Sequence, residues 1–292
     1  MTRWRLADRT LELAPPLAAG IVNVTPDSFF EGARFQKAED AVEHGLALVS
    51  AGFDLLDVGA VPAASGAPVS AAEEAARLIP VIEGLGRGAR VPLSADTFQP
   101  EVARRALDAG AVAINDTSGG RAEMLELVAE RGCGYVLMHI EGPPRSDREP
   151  AAHADPVDHL TRWFADRIEA AVGRGVAEEQ IALDPGLDFD LSVDDDLEIL
   201  ARLGEFRALG RPLFVALSRK DFLGAVLAGS WAERAPAGDR EWATAAATAL
   251  AVANGADIVR LHDRTALDAL RVAAAIEGRS PSPRDAVSTA RG

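Results

Sequence analysis

Residues 91–116 read VPLSADTFQPEVARRALDAGAVAIND. Two short apolar runs, 91–95 and 112–115, flank a stretch whose apolar residues recur at helical spacing. Pro100 falls in the first turn of that stretch, where a missing N–H costs nothing, and Gly110 follows its end. The unit therefore predicts a strand, a helix over 100–109, and a second strand. Continuous rather than alternating hydrophobicity suits strands buried on both faces, as in a parallel sheet. Each run ends on polar residues: Asp96 and Thr97 after the first, Asn115 and Asp116 after the second.

The same unit repeats outward in both directions. Apolar runs at 20–24, 54–58, 135–138, 181–183, 213–217 and 258–261 bring the strand candidates to eight. Helical patterns fill 37–50, 70–85, 121–131, 155–174, 194–203, 241–254 and 265–277, while 222–238 reads as a helix followed by a loop. Ser70 and Glu73 have the spacing of a capping box. The acidic run Asp194, Asp195, Asp196 reads as a solvated helix start, where acids suit the macrodipole. Eight strand–helix units predict an α/β fold, a single (β/α)8 TIM barrel. The competing doubly wound sheet usually has fewer strands, and its dinucleotide-binding form needs a G-x-G-x-x-G after the first strand, which is absent. The 292 residues suit one barrel of roughly 250 residues. No linker is visible, so 1–277 is expected to be one domain and 278–292 a flexible C-terminal tail.

Lys plus Arg number 30 and Asp plus Glu 45, a net charge of −15, which argues against a nucleic-acid or anionic-membrane binder. No run approaches the ~20 apolar residues of a membrane span, and Asp8, Glu12, Pro15 and Pro16 interrupt any signal-peptide core. One cysteine, Cys133, excludes an internal disulfide framework and reads as a small residue leading into a strand. A cytoplasmic protein is expected.

In this barrel the reactive face lies at the C-terminal ends of the strands. There the chain offers Asn23 and Thr25, Asp57, Asp96, Asn115, His139, Asp184, the triplet Ser218, Arg219 and Lys220, then Arg260, His262 and Asp263. Taken singly, an Asp, Ser or Asn after a strand is often the N-cap of the next helix. Taken together, carboxylates and an amide from Asp96, Asn115 and Asp184 suit a flat neutral heterocycle that offers N–H donors and ring acceptors. Arg260 and His262 lie two apart on one strand, so both point the same way, toward Asn23 on the neighbouring strand, and suit a phosphate or pyrophosphate. Lys220 stands at a helix start, where backbone N–H groups favour an anion.

Gly20–Phe29, reading GIVNVTPDSF, resembles the first-strand motif of the dihydropteroate synthase family, pterin-binding (β/α)8 barrels of folate biosynthesis. DLLDVG at 54–59, SADT at 94–97, INDTSGG at 114–120, VLMH at 136–139, LDPG at 183–186, LSRK at 217–220 and IVRLHD at 258–263 follow in the family's order. The resemblance implies a transferase that joins 6-hydroxymethyl-7,8-dihydropterin pyrophosphate to p-aminobenzoate and releases pyrophosphate. It implies catalytic roles for Asn23, Lys220, Arg260 and His262, with Mg2+ near Asn23. It implies substrate contacts for Thr25, Phe29, Asp57, Asp96, Asn115, Met138, Asp184, Ser218 and Arg219. It also implies a homodimer through outer helices near the C-terminus, where 241–254 is rich in alanine.

The resemblance breaks in the second loop. The family's G-E-S-T-R-P-G-A, whose residues help close the aminobenzoate site over the bound pyrophosphate, becomes AVPAASGA at 60–67, with Ala63 and Ala64 where threonine and arginine stand in the family. After the sixth strand a lysine is lost and Asp188 and Asp190 appear, close to the expected pterin end. A related barrel with another nucleophile, or one that binds a pterin or methyl-tetrahydrofolate without condensation, is the alternative.

Overall fold

Period-two alternation inside short strands sorts each strand side chain of this molecule to one of two destinations. In the computed structural model, which describes residues 2–24, 38–63, 66–146 and 151–279, eight parallel strands form one sheet. They are β3 (Leu17–Asn23), β4 (Leu55–Gly59), β5 (Leu93–Asp96), β6 (Ala113–Asp116), β7 (Gly134–Met138), β8 (Ile181–Asp184), β9 (Phe214–Ala216) and β10 (Ile258–Leu261). Their spatial order is β8-β7-β6-β5-β4-β3-β10-β9. The seam closes through a parallel bridge between Leu183 and Leu213, with Leu183 N–H donating to Pro212 O at 2.8 Å. The architecture is a TIM barrel.

Inward-pointing Ala19, Leu55, Ala113, Val136, Ala182, Phe214, Ala216 and Ile258 fill the barrel. Their strand neighbours Leu56, Val58, Ile114, Leu137, Leu183, Val215 and Val259 point outward and pack under the helices. Those helices are α1 (Ala38–Ala51), α2 (Ala71–Gly88), α3 (Pro100–Asp108), α4 (Ala122–Arg131), α5 (Pro156–Gly173), α6 (Val193–Ala201), α7 (Asp221–Ala228), α8 (Glu241–Ala253) and α9 (Arg264–Ile276). Ser70 caps α2 by accepting from Glu73 N–H, and Pro100 opens α3. Cys133 is buried, and burial pushes its thiol up to about 12, so it is not a nucleophile.

Three features differ from the sequence reading. A hairpin of β1 (Arg3–Arg5) and β2 (Thr10–Glu12) precedes the barrel. It brings Trp4, Leu6 and Leu13 into the inner cluster at the strands' N-terminal end. Trp4 Nε1 donates to Gln180 O at 2.7 Å. At Gly134 a Cβ would lie 2.5 Å from Leu6 Cδ2 and 3.1 Å from Trp4 Cζ2, so a larger residue would push the hairpin's side chains aside. The hairpin's two strands are too short to carry a legible alternation.

The acidic helix start is not solvated. Only Asp194 is exposed. Asp195 and Asp196 are buried, the first accepting from His153, the second from Asp188 N–H at 3.2 Å. Finally, β3 begins three residues earlier than expected, because Leu17 and Ala18 already pair with Ile258 and Val259. Among the described residues no helix is long and apolar enough to cross a membrane. The expected tail beyond 279 lies outside the described residues.

Candidate active site

At the strands' C-terminal ends the inward row changes from apolar to polar. Asp57 lies two residues beyond Leu55, Asn115 two beyond Ala113, Asp184 two beyond Ala182 and Arg260 two beyond Ile258, so all inherit the inward direction. Asp96 joins them from β5. Asn115 Nδ2 donates to Asp57 Oδ2 at 2.9 Å. Arg260 Nε donates to the same oxygen at 2.5 Å, and its second terminal nitrogen donates to Asp96 Oδ2 at 2.7 Å. Asp184 Oδ1 accepts from Gly186 N–H at 2.9 Å. Gly186 has φ 70°, and any Cβ there would collide with His139 O.

One guanidinium among three inward carboxylates leaves negative charge in excess. Burial lifts Asp96 to about 7; Arg260 opposes that and Asp57 adds to it. Burial likewise lifts Asp184 to about 6 against the pull of Lys220 and the Gly186 N–H. Hydrogen bonding is incomplete as well. Asp57 Oδ1, Asn115 Oδ1 and Ser94 Oγ are buried with no partner among the described residues. Buried polar atoms are normally paired, so this inward patch is built to receive donors from a ligand.

The last two strand ends carry the remaining candidates. Lys220 Nζ donates to Leu187 O and lies 4.4 Å from the Phe189 ring centroid. Ser218 Oγ and His262 Nδ1 are 3.0 Å apart. Burial, with the Arg260 and Arg219 cations, pushes His262 down to about 3, so its ring is neutral. Arg219 donates to Asp263 Oδ2 at 2.7 Å, and Asp263 caps α9 through Ala266 N–H. Met138 is buried and points inward after Val136. Asn23 ends β3 opposite Gly59. Thr25 and Phe29 lie outside the described residues.

Several polar residues at the same height face outward and serve the fold. Asp116 accepts from Ser118 N–H at 2.8 Å, Gly120 N–H at 3.3 Å and Tyr135 Oη at 2.7 Å, shaping the loop after β6. Asp188 accepts from the N–H groups of Asp221 and Phe222 and so caps α7. Asp190 accepts from Glu141 N–H at 2.7 Å. The two acids gained after β8 are thus committed to neighbouring backbone.

Arg145 is among the residues that escaped the sequence reading. It lies in the loop after β7 and reaches the backbone of the second loop. Its guanidinium donates to Pro62 O and to Ala67 O, the latter at 2.6 Å, and its own N–H donates to Ala63 O at 2.8 Å. Nothing in residues 139–146 signals a partner some 80 positions away.

The family model described as pterin binding enzyme matches residues 19–262. A dihydropteroate synthase of Synechocystis is 38% identical over 251 residues, 85% of this chain and 85% of its own length. A Xanthomonas albilineans dihydropteroate synthase structure with 4-aminobenzoic acid superposes with a TM-score of 0.84 at 39% identity, covering 96% of this chain and 99% of that one. The same organism's enzyme in complex with 7,8-dihydropteroate gives 0.79 at 36% identity over 96% of this chain and all of that one. The chain belongs to the pterin-binding enzymes, in the dihydropteroate synthase family.

Proposed function

From that membership we propose that the protein condenses 6-hydroxymethyl-7,8-dihydropterin pyrophosphate with p-aminobenzoate, as a cytoplasmic enzyme of folate biosynthesis. The observation that carries this reading is the inward patch of Asp57, Asp96, Asn115 and Asp184 with its unpartnered acceptors. A pterin edge presents ring N–H and amino donors at hydrogen-bonding spacing, and those acceptors would satisfy them. The relatives' complexes with 4-aminobenzoic acid and 7,8-dihydropteroate support the same two-part ligand.

In this reading Asp184 and Asn115 orient the ring, and Lys220 closes its flank from β9's loop. The arylamine nitrogen attacks the exocyclic methylene carbon, the carbon–oxygen bond breaks, and pyrophosphate leaves with that electron pair. The amine is neutral at pH 7 and gives up its proton after attack, so no strong base is required. Arg260 and the neutral His262 lie beside the departing group, where donors aimed at developing charge lower the barrier. Asn23 suits Mg2+. Its amide oxygen is a hard donor, and its strand partner Gly59 leaves space that a Cβ would fill 3.3 Å from Asp96 Oδ2. Mg2+ usually takes one or two protein oxygens and completes its shell from phosphate and water. When bound, it supplies charge neutralisation for the pyrophosphate.

The test is pyrophosphate release with each substrate omitted in turn. Release should need both substrates, stop with a chelator and return with Mg2+. Asp184→Asn should lower kcat/KM about 10²-fold, the loss expected when a group that orients the substrate is removed, while leaving the thermal midpoint in place. Release independent of p-aminobenzoate, or an unaffected Asp184→Asn, overturns the reading.

We also propose a homodimer. Trp242 (78% exposed) and Leu250 on α8, with Val272 and Ile276 (78% exposed) on α9, line an apolar groove of about 670 Å³. Exposed apolar patches of this kind mark interaction surfaces. Light scattering should give twice the chain mass, and Trp242→Glu should give a monomer.

A further inference from the structure

His139 follows β7 on the outward parity of Tyr135 and Leu137, so its ring points away from the mouth and toward Trp163 on α5. It is wholly buried, its ring centroid lies 4.9 Å from that of Trp163 in a T-shaped arrangement, and neither ring nitrogen has a hydrogen-bond partner among the described residues. A buried imidazole with both nitrogens unpaired is costly unless something completes it. The groups around it are metal ligands. Glu141 Oε1 is 3.9 Å from His139 Nε2 and 2.7 Å from His159 Nε2 on α5. One ligand atom from each of His139, Glu141 and His159 lies within 4.8 Å of the others. His153 stacks on His159 with ring centroids 4.1 Å apart, and its Nε2 is 3.9 Å from the same Glu141 oxygen. Its Nδ1 lies 3.0 Å from Asp195 Oδ2, the second-sphere carboxylate that commonly fixes a metal-ligating histidine.

We propose that His139, Glu141 and His159, with His153 as the fourth donor, bind a borderline divalent transition metal such as Zn2+. Three imidazoles and one carboxylate form a donor set for Zn2+, Co2+ or Ni2+, not for Mg2+, which takes oxygen. The site is separate from the mouth and from Asn23. Its position explains a use. The loop after β7 carries both Glu141 and Arg145, and Arg145 holds the second loop. A metal joining that loop to α5 and, through His153 and Asp195, to α6 would clamp the arm that holds Pro62, Ala63 and Ala67.

The experiment uses tag-free full-length protein stripped with chelator, titrated with Co2+ and then Zn2+. One Co2+ per chain should bind with the visible absorption band of a low-symmetry, four-coordinate site. Zn2+ should displace it, and excess Mg2+ should not. His159→Ala and His153→Ala, both at partly exposed positions, should each weaken binding at least ~10-fold, as loss of a ligand or its support does. Zn2+ should raise the thermal midpoint of the wild type and leave that of His159→Ala in place. Absence of stoichiometric Co2+ binding, or equal binding by wild type and both variants, overturns the proposal. Pterin-dependent turnover is not part of the readout, so a failed activity assay leaves this test intact.

Discussion

Asn115 and Asp116 are adjacent in the chain and do opposite work. Asn115 faces the barrel axis, donates to Asp57, and keeps a buried oxygen without a partner among the described residues. Asp116 faces the helices, accepts from Tyr135 and two loop N–H groups, and is built into the scaffold. Met138 and His139 divide the same way one strand on. The inward row at the mouth carries charge and unpaired acceptors, whereas most outward polar groups at that height are consumed by caps and turns. A single-residue shift in register would exchange the two roles.

The contrast can be broken at its strongest point first. Arg260→Gln leaves Asp57 and Asp96 without their cation. Breaking a buried pair costs about 3–5 kcal/mol, so urea unfolding at pH 8 should show a loss of that order, smaller at pH 5 where Asp96 holds a proton. An unchanged midpoint would mean that the mouth tolerates its charge excess unaided. On the outward side, Asp116→Ala should cost about 2–3 kcal/mol by stranding a buried tyrosine hydroxyl and loop N–H groups. The folded fraction should keep a near wild-type kcat; a kcat loss matching that of Asp184→Asn would erase the distinction between the two faces.

Smaller effects sharpen the comparison. Arg145→Ala should raise the KM of the second substrate about tenfold, ~1.4 kcal/mol, because the second loop loses its tether while the inward row is untouched. Steady-state kinetics with the pterin saturating separates the two. The last test is pH. The Asp96 carboxyl rises from an ordinary 3.8 to about 7 in the folded protein. The folded state then holds the extra proton between those values, so this group's contribution to stability is greatest at low pH and falls as pH rises toward 7. Thermal midpoints should decline across that window, and Asp96→Asn should flatten the slope. Equal slopes would place the strain on another carboxylate.

Much of the barrel was legible because eight short apolar runs alternate with helical patterns, and neither signal needs long-range information. The strand ends were legible for the same reason: each candidate sits within a residue or two of an apolar run. Asp195 and Asp196 were misread, since a charge run at a helix start looks solvated unless its partners, His153 and the Asp188 N–H, are known. The Trp4 hairpin left no trace, because three-residue strands have no period to detect.

The order of the chain alone determined the repeat, the barrel, and the residue types at its mouth, since local hydrophobic pattern dictates where strands begin and end. Tertiary structure decided which of those polar residues meet. Arg260 lies 203 positions from Asp57 and 164 from Asp96, and only barrel closure brings their charges into contact. The bond from Arg145 to the second loop and the convergence of His139, His153 and His159 have the same origin. Contacts between distant loops follow from how the sheet curls, a property that no local stretch of sequence encodes.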